Sequence, residues 1–173
     1  HGVFRRQRQM CIRDRYNVAH TPKGLPPHND FASYKSQPSV QVLHMLENEC
    51  EGGESIIVDG WQVAKDLKDE MPEYFSILQN FNVPFREFDE ENETYAEAPL
   101  IKCATDGTIE SFRFSNQLMQ MIDPRKEGIR EFYKAYHEIS LRVHNKKYRS
   151  TFRLNGGEAV SYTHLRAHET HEH

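Results

Sequence analysis

His28 and Asp30, set after the stiff Pro26-Pro27 pair and separated by Asn29, are the residues whose types and spacing point most directly to chemistry. Side chains on an extended segment alternate with period 2, so an imidazole and a carboxylate two residues apart point the same way. Such a pair is two thirds of the facial triad that holds non-haem Fe(II) while leaving positions open for co-substrate and oxygen. The missing third ligand is a second histidine from elsewhere in the chain. His44 lies inside the apolar run VQVLHML and reads as a hydrogen-bonded core histidine. His164 and His168 have the i, i+4 spacing of two metal ligands on a helix, but AHETH is one residue short of H-E-x-x-H. Cys11, Cys50 and Cys103 are widely spaced and form no CxxC pair, so zinc and dithiol chemistry are disfavoured and a reducing, cytoplasmic setting is expected.

Composition narrows the partners. A chain of 173 residues suits one domain, and an apolar fraction of 37% predicts a thin core. A net charge of -4 argues against nucleic acid, and no run approaches a membrane span, which leaves a small molecule as the expected partner. The two ends differ from the middle: residues 1–15 carry five arginines without an apolar period, and histidine density jumps after Val160. Both resemble translated sequencing-adapter sequence. Residues 1–15 and 161–173 are therefore read as a non-native leader and tail, flanking a domain over 16–160.

The elements that must position the pair follow from periodicity and turn chemistry. Val40–Leu46 reads as a strand buried on both faces, paired as a hairpin with Ser55–Val58 across the Glu51–Glu54 turn. Asp59 is placed to cap a helix over Trp61–Glu70, and Pro72 starts a second. Val83–Phe88 alternates like an edge strand that tolerates Pro84. Pro99–Cys103 and Ile109–Phe114 flank an Asp106-Gly107 hairpin turn. Asp123 is expected to cap a helix from Pro124 to about His144, and Tyr148–Leu154 to form a last strand before Asn155-Gly156-Gly157. Trp61, Tyr133 and Tyr136 read as core. The fold class is mixed, mainly β: a partial double-stranded β-helix, or jelly roll, with helical insertions, lacking its C-terminal strands.

Five collinear segments carry a resemblance: Asn17-Val18-Ala19, LPPHND at Leu25–Asp30, VQVLH at Val40–His44, EGGESIIVDGWQVAKDL at Glu51–Leu67, and FRLNGGEAV at Phe152–Val160. Over residues 16–160 the chain resembles the gamma-butyrobetaine hydroxylase-like branch of the taurine dioxygenase family, Fe(II)- and 2-oxoglutarate-dependent oxygenases. The resemblance implies Fe(II), 2-oxoglutarate and O2, admits ascorbate, and leaves homo-oligomerisation of the parent open. It makes His28 and Asp30 iron ligands and places Asn17 and Leu43 at the 2-oxoglutarate pocket. Asn29 replaces the family's usual threonine and is expected to point away from the metal. His20, Ser115 and Asn116 fall at substrate positions, with His20 where an aromatic cage tyrosine would stand. An imidazole cages a trimethylammonium less well than a phenol ring face, so a small, cationic, carnitine-related acid is expected rather than butyrobetaine itself. The family's distal histidine and its 2-oxoglutarate-binding arginine follow the segment matched by Phe152–Val160. His164 and Arg166 imitate that motif only superficially, so an inactive fragment is expected. A non-catalytic jelly-roll binding module, or a metal protein using the C-terminal histidines, are the alternatives.

Overall fold

The computed structural model describes residues 25–49, 53–88 and 91–162, together with the backbone of 166–169. Asn17, His20 and His164 lie outside the described residues. Among the described residues there are ten strands and three α-helices. In order they are β1 (Leu25–His28), β2 (Gln41–His44), β3 (Glu54–Val58), α1 (Gly60–Glu70), α2 (Pro72–Asn80), β4 (Val83–Phe88), β5 (Glu93–Ala98), β6 (Ile101–Cys103), β7 (Ile109–Phe112), α3 (Ile129–Val143), β8 (Arg149–Phe152), β9 (Ala159–Tyr162) and β10 (Arg166–Glu169).

A four-stranded antiparallel sheet runs β1-β10-β3-β8, and three two-stranded sheets pair β2 with β9, β4 with β5, and β6 with β7. β1 is an edge strand, which is where a segment carrying Pro26 and Pro27 fits, since proline supplies no ladder N–H. One face of β3 gives Ile56 and Val58 to the core. There they meet Val63, Ala64 and Leu67 of α1, Phe75 and Leu78 of α2, and Phe132, Ala135, Ile139 and Val143 of α3. These helical positions recur at three- and four-residue steps, the spacing that lines one face of a helix.

Local signals hold at most helix ends. Asp59 accepts a bond from the Gln62 amide at 2.9 Å and starts α1, and Pro72 opens α2. Gly60 lies so close to β7 that an added Cβ would meet the Phe112 ring at 3.2 Å. α3, however, begins at Ile129 and not at Pro124. Asp123 closes a turn by accepting from the Arg125 amide, and Gly128, at φ 76°, reverses the chain before the helix starts.

The sheet differs more from the sequence reading. Val40–Leu46 is not buried on both faces: the strand is Gln41–His44, Val42 is 67% exposed, and His44 is exposed rather than core. It forms no hairpin with Ser55–Val58. β2 pairs with β9 and β3 with β8, in registers Leu43↔Val160 and Ile56↔Thr151 that join segments remote in sequence. β5 carried no recognised signal, β9 crosses the boundary drawn at residue 160, and the backbone of β10 lies beyond it. Trp61 and Tyr133 are partly exposed, while Tyr136 is half-buried, stacked between Phe114 and Phe132. Among the described residues no helix is long and apolar enough to cross a membrane.

Candidate metal centre

His28 closes β1 with its side chain buried. Its Nδ1 lies 2.8 Å from the Pro26 carbonyl oxygen, which can only accept, so Nδ1 carries the proton and donates. In the neutral ring this leaves a lone pair on Nε2, through which an imidazole can ligate a metal. Asp30 Oδ1 stands 3.2 Å from that nitrogen. Two acceptors facing each other at this distance need a cation, a proton or a metal ion, to be stable together.

The pair converges by a different route from simple alternation, because β1 ends at His28 and Asp30 already lies in a turn. Asn29 is buried, at 3% exposed. Its amide donates to the Phe114 carbonyl at 2.6 Å, and its side-chain oxygen accepts from the Phe114 amide. This two-way bond fastens the segment between the two ligands to the residues that extend β7. Phe31 then takes φ 59°, a left-handed conformation uncommon for a bulky residue. Three contacts hold that turn: Phe31 stacks on Tyr34 at 5.0 Å, Arg113 Nη1 donates to the Ala32 carbonyl, and Ser33 bonds Thr94 at 2.7 Å. The buried Arg113 guanidinium also lies over the Phe85 ring, and its burial pushes its pKa below the usual value.

Beside the carboxylate is a small polar cleft lined by Asn29, Asp30, Gln37, Pro38 and Gln41. Gln41 Nε2 donates to Asp30 Oδ2 at 2.9 Å. Leu43, half-buried, lies two residues further on β2 and so shares the face of the strand that carries Gln41. Ser115 is buried directly after Phe114. Asn116 is exposed and accepts a hydrogen bond from the Tyr136 hydroxyl, whose pKa burial pushes upward. The structure thus brings His28, Asp30 and the Leu43 face of β2 together, ties Ser115 to them through Phe114, and anchors Asn116 to α3. Among the described residues no group of three or more histidine, cysteine or acidic side chains stands together. Cys103 is half-buried, and desolvation raises its thiol pKa, which disfavours the reactive thiolate.

Sequence reading missed Asn29 as an anchor, Gln41 and Arg113. The period-2 relation between Gln41 and Leu43 was a usable signal for the second. Nothing local marks a buried arginine between Phe112 and Phe114.

A family model for the taurine catabolism dioxygenase TauD, TfdA family matches residues 3–161. The chain belongs to that family. It is 30% identical over 140 residues to the gamma-butyrobetaine dioxygenase of Pseudomonas sp. (strain AK-1), covering 81% of this chain and 37% of the relative. To the human gamma-butyrobetaine dioxygenase it is 29% identical over 157 residues, covering 88% of this chain and 41% of the relative. A taurine dioxygenase crystal structure from Burkholderia xenovorans superposes with a TM-score of 0.64 at 13% identity, covering 82% of this chain and 50% of that one. The chain therefore has the jelly-roll fold of the TauD, TfdA family and spans about two fifths of the length of these curated relatives. The family is one of dioxygenases by its name.

Proposed function

We propose that this chain carries the His-x-Asp half of the iron site of a 2-oxoglutarate-dependent oxygenase that hydroxylates a small substrate of the trimethylammonium class. The observation that carries the reading is the His28 tautomer: Nδ1 is spent on the Pro26 carbonyl, and the free Nε2 faces Asp30 Oδ1 at 3.2 Å. That donor set fits two of the three protein ligands of a facial iron site. Bound there, iron supplies the redox chemistry that couples decarboxylation of 2-oxoglutarate to hydroxylation of a C–H bond.

The chain's own residues do the positioning. Asn29 and the Phe31 turn hold the two ligands at fixed separation, so little reorganisation accompanies metal entry. Leu43 offers an apolar wall for the 2-oxoglutarate methylenes, and Asn17 is assigned to the same co-substrate. His20, Ser115 and Asn116 are assigned to the substrate, with the Tyr136 bond setting the direction in which Asn116 presents its amide. Since no third ligand joins the pair among the described residues, metal binding rather than turnover is the property to test on this chain.

Anaerobic Fe(II) should raise the thermal midpoint of the chain, because a ligand that binds only the native state stabilises it by mass action. At 100 times the dissociation constant the gain is about 2.7 kcal/mol, or roughly 5–10 °C for a chain of this size. His28→Ala and Asp30→Ala should each remove the shift. An equal shift in those variants would refute the ligand assignment.

A further inference from the structure

The side-chain amide of Asn29 has one group that the fold leaves over. Its Oδ1 accepts from the Phe114 amide, which fixes the orientation of the side chain and leaves Nδ2 on the opposite side. That nitrogen is buried without a hydrogen-bond partner, in a residue only 3% exposed. Asn29 lines the small cleft beside Asp30, and so does Gln37, whose Oε1 is buried and unpartnered as well. A donor and an acceptor left over at the same cleft call for an occupant that both accepts and donates.

Charge and size choose that occupant. An anion would meet the Asp30 carboxylate in the same lining, and a cation would meet the hydrogens of Asn29 Nδ2. An apolar molecule would find only the Pro38 ring to pack against. The cleft has room for about one water-sized molecule. We infer that it is the seat of a bound water molecule, which accepts from Asn29 Nδ2 and donates to Gln37 Oε1. Turning the Gln37 amide over would present its nitrogen instead, and water, which can accept twice, fits that arrangement also. The water joins the segment between His28 and Asp30 to the loop that leads into β2. The seat belongs to the metal-free chain and does not rest on the ligand roles of His28 and Asp30.

The test is water–protein cross-relaxation, measured by magnetic resonance on the complete, metal-free, isotope-labelled chain of 173 residues. A long-held water gives cross-peaks of opposite sign in laboratory-frame and rotating-frame spectra, whereas proton exchange gives the same sign in both. The side-chain amide protons of Asn29 should show the first pattern. Gln37→Leu and Gln37→Met remove the acceptor from a half-buried loop position. Each should unfold near the unaltered midpoint and lose the cross-peaks. Formate and ammonium, a small anion and a small cation, should leave the Asn29 side-chain resonances where they are. Absence of the cross-peaks in the unaltered chain would overturn the water seat, as would their persistence in both Gln37 variants. Displacement by formate or by ammonium would overturn it too, in favour of an anion or a cation site. None of these results bears on the Fe(II) shift expected of the His28–Asp30 pair, so the two readings fail separately.

Discussion

A histidine bonded through Nδ1 to a main-chain carbonyl has one nitrogen left to use, and at His28 that nitrogen faces a carboxylate. The geometry survives because neighbouring side chains have no freedom to leave it. Asn29 is the clearest case, buried and bonded in both directions to Phe114, itself fully buried. Asn29→Ala would strand the Phe114 N–H without its partner, at a cost of about 1–3 kcal/mol. Urea unfolding should show a lower midpoint with an unchanged slope, and an unchanged midpoint would mean that Asn29 anchors nothing. His28 and Asp30 were legible in the sequence by residue type and close spacing, although the turn after β1, not strand alternation, brings their side chains together. Their supports were not, because Gln41, Phe114 and Arg113 reach the pair only after folding.

At the scale of elements, legibility followed the range of the interaction. Helices α1 and α2 start where Asp59 and Pro72 say, since capping is settled within one turn. The strand pairings were not readable. Leu43 meets Val160 and Ile56 meets Thr151 across most of the chain, and an exposed apolar strand such as β2 has the same composition as a buried one. α3 shows the intermediate case: its apolar stripe was visible, but the Asp123 turn and Gly128 moved its start to Ile129. One junction between elements should be sensitive to acid. Lys147 and Tyr148 both bond Asp66 of α1, and these bonds, the Lys147 one first, with a bond from Gln62, hold its carboxyl at about 2. A carboxyl depressed in the native state stabilises the fold above its ordinary pKa of about 3.9 and loses that contribution as pH falls toward the native value. The thermal midpoint should therefore drop between pH 4 and pH 2. Asp66→Asn should start lower at pH 7 and show a smaller drop, while parallel curves for the two proteins would contradict the assignment.

Taken as a whole, the molecule is a helical core of α1, α2 and α3 packed on one face of β3, with the His28–Asp30 pair at the end of the edge strand β1 in the same sheet. The proposed metal site is thereby tied to the register of that sheet and to β2, whose Gln41 bonds Asp30. The same fold and family extend over longer chains in the relatives, so the locus of metal binding is the property to test on this chain. Substoichiometric Mn(II) added to the isotope-labelled chain measures that locus directly, because a bound paramagnetic ion broadens the resonances nearest to it. The amides of His28, Asn29 and Asp30 and the side-chain amide of Gln41 should broaden first, and His28→Ala should restore them. Broadening confined to His164, His168, His171 and His173, with residues 28–30 untouched, would place the metal elsewhere and contradict the account.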